Sequence, residues 1–417
     1  MCVPIEKFTG GIFCVNCLEG MQNMPDNSVD SIITDPPYAL EFMGKDWDKV
    51  LPGVDIWREA LRVAKPGSVL MAFGGTRTFH RLAVNIEDAG WEIRDCMMWL
   101  YGSGFPKSHN ISKAIDKAAG AEREVVGEKT TPDGKAYSCR TPNSSGEYNS
   151  QCSHNSLCGK TRHNNLLTAP ATSEAQLWDG WGTALKPAWE PIIVAMKPIE
   201  GTFAQNALKW GVAGLWIDGG RIQGETIRTI QGQSTAQQAG DMYGGKDQRD
   251  KRLFENTSGR WPANVVLDEE AGELLDRQSG YSTSSGGGGR KKRGVGTGCG
   301  IYGKYGPKDL PKNVGLGDSG GASRFFYCAK AGKKERNQNL PDGKTNRHPT
   351  VKPIKLMEYL CKLTKTPTSG VVLDPFCGSG STLVAAQNTG RGFIGFDLDP
   401  ESVQIAKHRT QTAEKVA

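Results

Sequence analysis

Val371-Val372-Leu373-Asp374-Pro375-Phe376-Cys377-Gly378-Ser379-Gly380 decides the fold. Three apolar residues ended by an acid and followed by two glycines read as a buried strand entering a tight turn, with a helix over 382–388. Glycine there lets a ligand approach the backbone closely, so the segment has the form of a nucleotide-type site at the carboxyl end of a parallel strand. Asp397 closes the next expected strand, 393–396, where its carboxylate can accept hydrogen bonds from both hydroxyls of a ribose. A dinucleotide fingerprint needs a third glycine where Leu383 stands, and no Gly-x4-Gly-Lys-Ser/Thr phosphate loop is present, so NAD and ATP fit poorly.

The alternation of strand and helix extends outward from this segment. A helix over 354–363 precedes it, and a helix over 401–409, begun by Asp399 and Pro400, follows it. The other end of the chain repeats the pattern: strands over 12–15, 29–34, 68–73 and 91–99, helices over 18–24, 56–64 and 78–89. An α/β fold with one mostly parallel sheet assembled from both chain ends follows. The expected divisions are an α/β half over 1–120, a polar insertion over 121–180, a return to the sheet over 181–200, a polar region over 201–335 and a second α/β half over 336–417. Residues 220–320 are polar and Gly-rich, a composition expected to build no core of its own and to form a mobile loop.

Charge is placed rather than spread. The 417 residues carry 51 Lys plus Arg against 45 Asp plus Glu, a net charge of only +6. Between 285 and 336, however, twelve basic residues face Asp309, Asp318 and Glu335, which points to a polyanion. Within that segment Arg290, Lys291, Lys292 and Arg293 follow a run of glycines, giving charge without fixed geometry; they are expected to bind the phosphates of a nucleic acid. No run approaches the roughly 18 apolar residues of a membrane span. The first fifteen residues lack the basic start and apolar core of a secretion signal, and eleven scattered cysteines suit a reducing compartment. A cytoplasmic protein without a membrane partner is expected.

Thr34-Asp35-Pro36-Pro37-Tyr38 stands just past the strand over 29–34. Two prolines freeze the backbone, so a carboxylate and an aromatic ring are held rigidly where open α/β sheets bind ligands.

Together these segments resemble the DNA amino-methyltransferases, which act on N6 of adenine or N4 of cytosine. Asp35-Pro36-Pro37-Tyr38 is similar to their catalytic motif and Asp374 to Gly380 to their S-adenosylmethionine motif. His348-Pro349-Thr350-Val351-Lys352-Pro353 resembles the segment before the cofactor strand. With the catalytic motif first and the cofactor motif last, the order is that of the permuted β group. The resemblance implies a Rossmann-like S-adenosylmethionine-dependent methyltransferase fold whose polar, Gly-rich insertions form the target-recognition region, with 1–120 as the catalytic half, 201–335 as the target-recognition and DNA-binding region and 336–417 as the cofactor-binding half. It implies catalytic roles for Asp35, Pro36, Pro37 and Tyr38, and cofactor contacts from Asn16, Cys17, His348, Thr350, Lys352, Asp374, Phe376, Gly378, Gly380, Thr382 and Asp397. Asn16 stands where the family usually has Asp, and Asp397 where Glu is commoner.

The implied partner is double-stranded DNA, in restriction-modification. The resemblance leaves room for a homodimer, and a cognate restriction enzyme is not determinable from the sequence. Asp at the first motif position favours adenine; N4-cytosine methylation and an inactive nucleic-acid-binding regulator of the same fold stay open.

The chemistry asks for these residue types. An exocyclic amine is a poor nucleophile because its lone pair is delocalised into the ring. Asp35 and the Pro36 carbonyl can accept its two N–H bonds and favour a tetrahedral nitrogen, which attacks the methyl group directly. A base inside a duplex must be flipped out, and Tyr38 offers a face to stack on it. Cytosine-C5 chemistry needs a Cys after Pro, and the chain has no Pro-Cys pair. Cys139, Cys152, His154, Cys158 and His163 lack the paired spacing of zinc modules, so no metal is expected. Trp178, Trp181 and Trp189, near an apolar run, are expected in the core.

Overall fold

The computed structural model describes residues 4–40, 48–102, 104, 108–128, 166–222, 227–230, 253–256, 259–283, 319–329, 340, 346 and 351–411. They form two compact units, 1–103 with 188–417, and 104–187.

The larger unit is built on one sheet. Its strands, in chain order, are β1 (Gly11–Cys14), β2 (Val29–Thr34), β3 (Ala64–Phe73), β4 (Glu92–Leu100), β5 (Trp189–Met196), β6 (Val265–Asp268), β7 (Tyr327–Ala329), β8 (Val371–Asp374) and β9 (Gly392–Asp397). Across the sheet they run β1-β9-β8-β2-β3-β5-β4-β6-β7. All neighbours are parallel except β5, which is antiparallel to both β3 and β4. The sheet is mixed and mostly parallel, as the sequence leads one to expect.

Burial on both faces explains why β3 over 69–73 and β5 over 192–196 read as unbroken apolar runs. Ile33, Val69, Met71 and Phe73 pack toward α5 (Ile354–Leu363), α6 (Ser381–Asn388) and α7 (Pro400–Gln411). Their sequence neighbours Ile32, Leu70 and Ala72 pack on the opposite face toward α1 (Cys17–Gln22), α2 (Val54–Val63) and α3 (Phe79–Asp88). The N-terminal helices therefore cover one face and the C-terminal helices the other. A further helix, α4 (Glu269–Ser279), follows β6.

The chain leaves β8 toward one edge of the sheet and β2 toward the other. Between these two adjacent strands lies the crevice where open α/β sheets bind ligands.

Two expectations change here. Val265–Asp268 and Glu269–Ser279 lie inside the stretch expected to build no core, yet Val266 and Leu267 are buried in the sheet. A four-residue strand is too short to stand out against a polar background. In the smaller unit, Trp178 and Trp181 are not core: they are 40% and 60% exposed, their rings edge-on at 5.4 Å. That unit is organised around a polar group, the buried Asp116, which accepts from Arg123, Thr172 and the Ala171 N–H. Cys139, Cys152, His154, Cys158 and His163 lie outside the described residues.

Candidate active site

The carboxyl ends of β2 and β8 meet through one hydrogen bond: the Thr34 hydroxyl donates to Asp374 Oδ1 at 2.7 Å. Burial raises the Asp374 pKa to about 7, against the hydrogen bonds from Thr382, Thr34 and the Phe376 N–H, which lower it. Beyond Asp374 the turn is held through its own backbone groups, and Arg409 of α7 donates to the Ser379 carbonyl at 2.6 Å. Cys377 N–H donates to the Phe396 carbonyl at 2.9 Å, and Gly378 N–H to Asp397 Oδ2 at 2.8 Å. Gly380 has φ of +82°, and a Cβ there would stand 2.8 Å from the Ala406 Cβ, so α6 and α7 approach each other over a residue that must be glycine.

On the other side of the crevice, side chains from distant parts of the chain hold the catalytic motif. Asp48, 2% exposed, accepts three N–H groups in succession, from Tyr38 (2.7 Å), Ala39 (3.0 Å) and Leu40 (3.2 Å). The Thr78 hydroxyl donates to the Tyr38 carbonyl at 2.7 Å. The functional ends of the motif form a cluster. Tyr38 Oη lies 2.6 Å from Asp35 Oδ1 and 3.1 Å from Glu190 Oε2. Lys352 Nζ reaches Asp35 Oδ2 at 2.7 Å, Glu190 Oε2 at 3.1 Å and Tyr38 Oη at 3.1 Å.

Burial pulls the Lys352 pKa down, but the charges of Asp35 and Glu190 outweigh it and the net shift is upward. Burial first, then the same two carboxylates, pushes the Tyr38 phenol well above its usual value. Both groups therefore keep their protons at neutral pH and act as donors.

Both motifs open on one cavity of about 1080 Å³. Of the residues singled out by sequence, Asn16, Cys17, Asp35, Pro36, Pro37, Tyr38, Lys352, Asp374, Phe376, Gly378, Thr382 and Asp397 line it. Asn16 also caps α1, its Oδ1 accepting from the Leu18 N–H at 2.9 Å. Gly380 lies just behind the wall, in the helix contact. Lys352, expected among the cofactor contacts, has its ammonium against the catalytic motif. His348, Thr350, Arg290, Lys291, Lys292 and Arg293 lie outside the described residues.

Sequence reasoning missed Asp48, Glu190, Thr34 and Thr78. Glu190 carried a faint signal, a carboxylate at the head of the apolar run 191–196; Asp48 carried none.

The lining suits a cationic ligand without phosphates. Among its residues are seven carboxylates, Asp35, Asp48, Glu190, Asp374, Asp397, Asp399 and Glu401, against one ammonium, Lys352. S-adenosylmethionine, which carries a sulfonium and an ammonium against one carboxylate, matches that balance; a nucleotide phosphate does not.

Fold and site together define an α/β protein of the Rossmann-like methyltransferase type. The family described as DNA methylase matches residues 29–408, and the chain belongs to it. Among curated relatives, the type II methyltransferase M2.DpnII of Streptococcus pneumoniae is 45% identical over 65 residues, 16% of this chain and 24% of the relative. M.HpaI of Haemophilus parainfluenzae is 31% identical over 116 residues, 25% of this chain and 36% of that one. The chain thus spans about a quarter to a third of the length of these relatives. Among solved structures, the M1.HpyAVI-SAM complex aligns over 95% of this chain and 98% of that one, at 16% identity and a TM-score of 0.37. The PvuII DNA methyltransferase, titled cytosine-N4-specific, aligns over 97% and 90%, at 12% identity and a TM-score of 0.43.

Proposed function

We propose that this protein transfers a methyl group from S-adenosylmethionine to the exocyclic N6 of an adenine flipped out of double-stranded DNA, in the cytoplasm. One observation carries the reading: Asp35 and Tyr38 at the end of β2 and the glycine turn after β8 open on the same acidic cavity.

The residues that would hold the cofactor are Asp397 at the ribose, the Gly378 turn and Thr382 along the backbone wall, and Asn16, Cys17 and Phe376 around them. When bound, S-adenosylmethionine supplies an electrophilic methyl group on its sulfonium. Asp35 accepts one N–H of the target amine and the Pro36 carbonyl the other, which localises the nitrogen lone pair. Tyr38 presents its ring to the base, and Asp48 fixes that ring by its backbone. Lys352 neutralises part of the charge that Asp35 and Glu190 concentrate in a buried place.

Adenine and cytosine present the same amine to Asp35, so the preference for adenine rests on the acid at the head of the motif. Mass spectrometry of nucleosides from duplex DNA incubated with the protein and labelled cofactor tests it. N6-methyladenine is expected. N4-methylcytosine as the dominant product overturns the adenine assignment; no label despite demonstrated cofactor binding overturns the enzymatic reading in favour of an inactive regulator.

Arg290, Lys291, Lys292 and Arg293 complete the proposal as phosphate contacts. Neutralising all four is expected to weaken specific and random duplexes alike and to flatten the salt dependence of binding. A changed methylation motif with an unchanged salt slope would make them readers of bases instead.

A further inference from the structure

The cluster at the catalytic motif holds one more carboxylate than amine binding requires. Tyr38 stays protonated, so its hydroxyl has a single proton to give, yet two carboxylates stand within reach: Asp35 at 2.6 Å and Glu190 at 3.1 Å. Lys352 spends its three donors on Asp35, Glu190 and Tyr38 itself. In this arrangement both oxygens of Asp35 are already engaged, Oδ1 by the phenol and Oδ2 by the ammonium. A carboxylate oxygen can accept a second bond, so a target amine that takes Asp35 as its acceptor shares it with the 2.6 Å phenol contact or with the ammonium, and each sharing weakens its hold on the amine.

We propose that Glu190 is a positioning residue that takes over the Tyr38 hydroxyl when the target amine reaches Asp35. The inference rests on the amine-methylating reading above. The exchange conserves hydrogen bonds: the phenol turns its proton from Asp35 to Glu190, and the substrate N–H replaces it at Asp35. Only the rotation of one O–H is required, because Glu190 Oε2 already lies at hydrogen-bonding distance. Lys352, bonded to both carboxylates and 8% exposed, stays in place and keeps the two acceptors at a fixed spacing. Without Glu190, moving the phenol proton off Asp35 leaves a buried donor without an acceptor, a loss borne when substrate is engaged.

The test is a double-mutant cycle on methyl transfer to duplex DNA, with S-adenosylhomocysteine affinity by calorimetry as the check on folding and cofactor binding. Glu190→Ala is expected to lower kcat by about tenfold or more, while Glu190→Gln, whose amide oxygen still accepts, stays within about threefold. In a Tyr38→Phe background the phenol is gone, and adding Glu190→Ala is expected to change kcat by less than about threefold.

Equal losses from Glu190→Ala in both backgrounds would overturn the hand-over and leave Glu190 as a charge partner of Lys352. If the alanine variant fails to fold, Glu190→Gln alone decides: a loss of about tenfold, with cofactor affinity kept, overturns the proposal. A wild-type protein that binds S-adenosylhomocysteine but methylates no DNA defeats the substrate reading itself, and is told apart by that control.

Discussion

The two walls of the cavity are made in different ways. The wall after β8 is a turn whose backbone groups are held from within one short stretch of chain: the Cys377 and Gly378 N–H groups hang on the Phe396 carbonyl and the Asp397 carboxylate of the next strand, and Arg409 of α7 donates to the Ser379 carbonyl. The wall after β2 is a five-residue motif pinned by side chains from afar, Asp48, Thr78, Glu190 and Lys352. A wall of backbone fails when a Cβ intrudes. A wall of side chains fails when a donor or an acceptor is lost, and then one function fails before the other.

Asp35→Ala is the sharpest break. Methyl transfer is expected to fall by about a thousandfold or more, while S-adenosylhomocysteine affinity, read by calorimetry, stays nearly unchanged. A parallel loss of both would show that the two walls act as one.

Gly380→Val attacks the other wall by shape. With φ at +82° and Ala406 in the way, it is expected to destabilise the fold by about 2–4 kcal/mol in urea denaturation and to weaken S-adenosylhomocysteine binding. Unchanged stability and affinity would remove the argument from the helix contact.

Asp48→Ala leaves three N–H groups of the motif without their acceptor and is expected to lower kcat about tenfold with cofactor affinity kept. If cofactor affinity falls instead, Asp48 supports the pocket as a whole.

The mildest test uses pH. Asp374 is an acid whose folded pKa, about 7, lies above its unfolded value, so the folded state holds the extra proton between about pH 4 and 7. Its contribution to stability is therefore lost as pH rises through that window, by at most about 1.4 kcal/mol per pH unit. Asp374→Asn is expected to show a shallower decline than wild type in urea titrations at pH 5, 6 and 7. Parallel declines would place the ionisation elsewhere.

The same contrast explains what could be read from sequence. Asp374 to Gly380 and Asp35 to Tyr38 are contiguous, and their prolines and glycines announce a rigid turn. The strands beside them carry short apolar runs, 371–373 and 32–33, so their existence was legible, while their order across the sheet was not. Glu190 acts through a pairing that only the sheet creates, since Trp189 pairs with Leu100 and Ile192 with Phe73 far along the chain, while Asp48 turns back on the motif through a loop that has no sequence pattern of its own. Lys352 lay in a legible segment, but whether its ammonium served the cofactor or the motif depended on a neighbour three strands away. Val265–Asp268 was missed for a simpler reason: four residues hold too little pattern.

The register of β1 carries a consequence for how the molecule is made. Gly11 pairs with Ile394 and Cys14 with Asp397, and among the described residues β1 has no other partner in the sheet. A nascent chain that has passed residue 300 still holds its first strand with an empty edge, and β2 with one side bare, until the ribosome delivers β8 and β9. Those last strands must enter between strands synthesised at the start. The cavity closes in the same event, so synthesis itself keeps an incomplete chain from presenting a finished pocket.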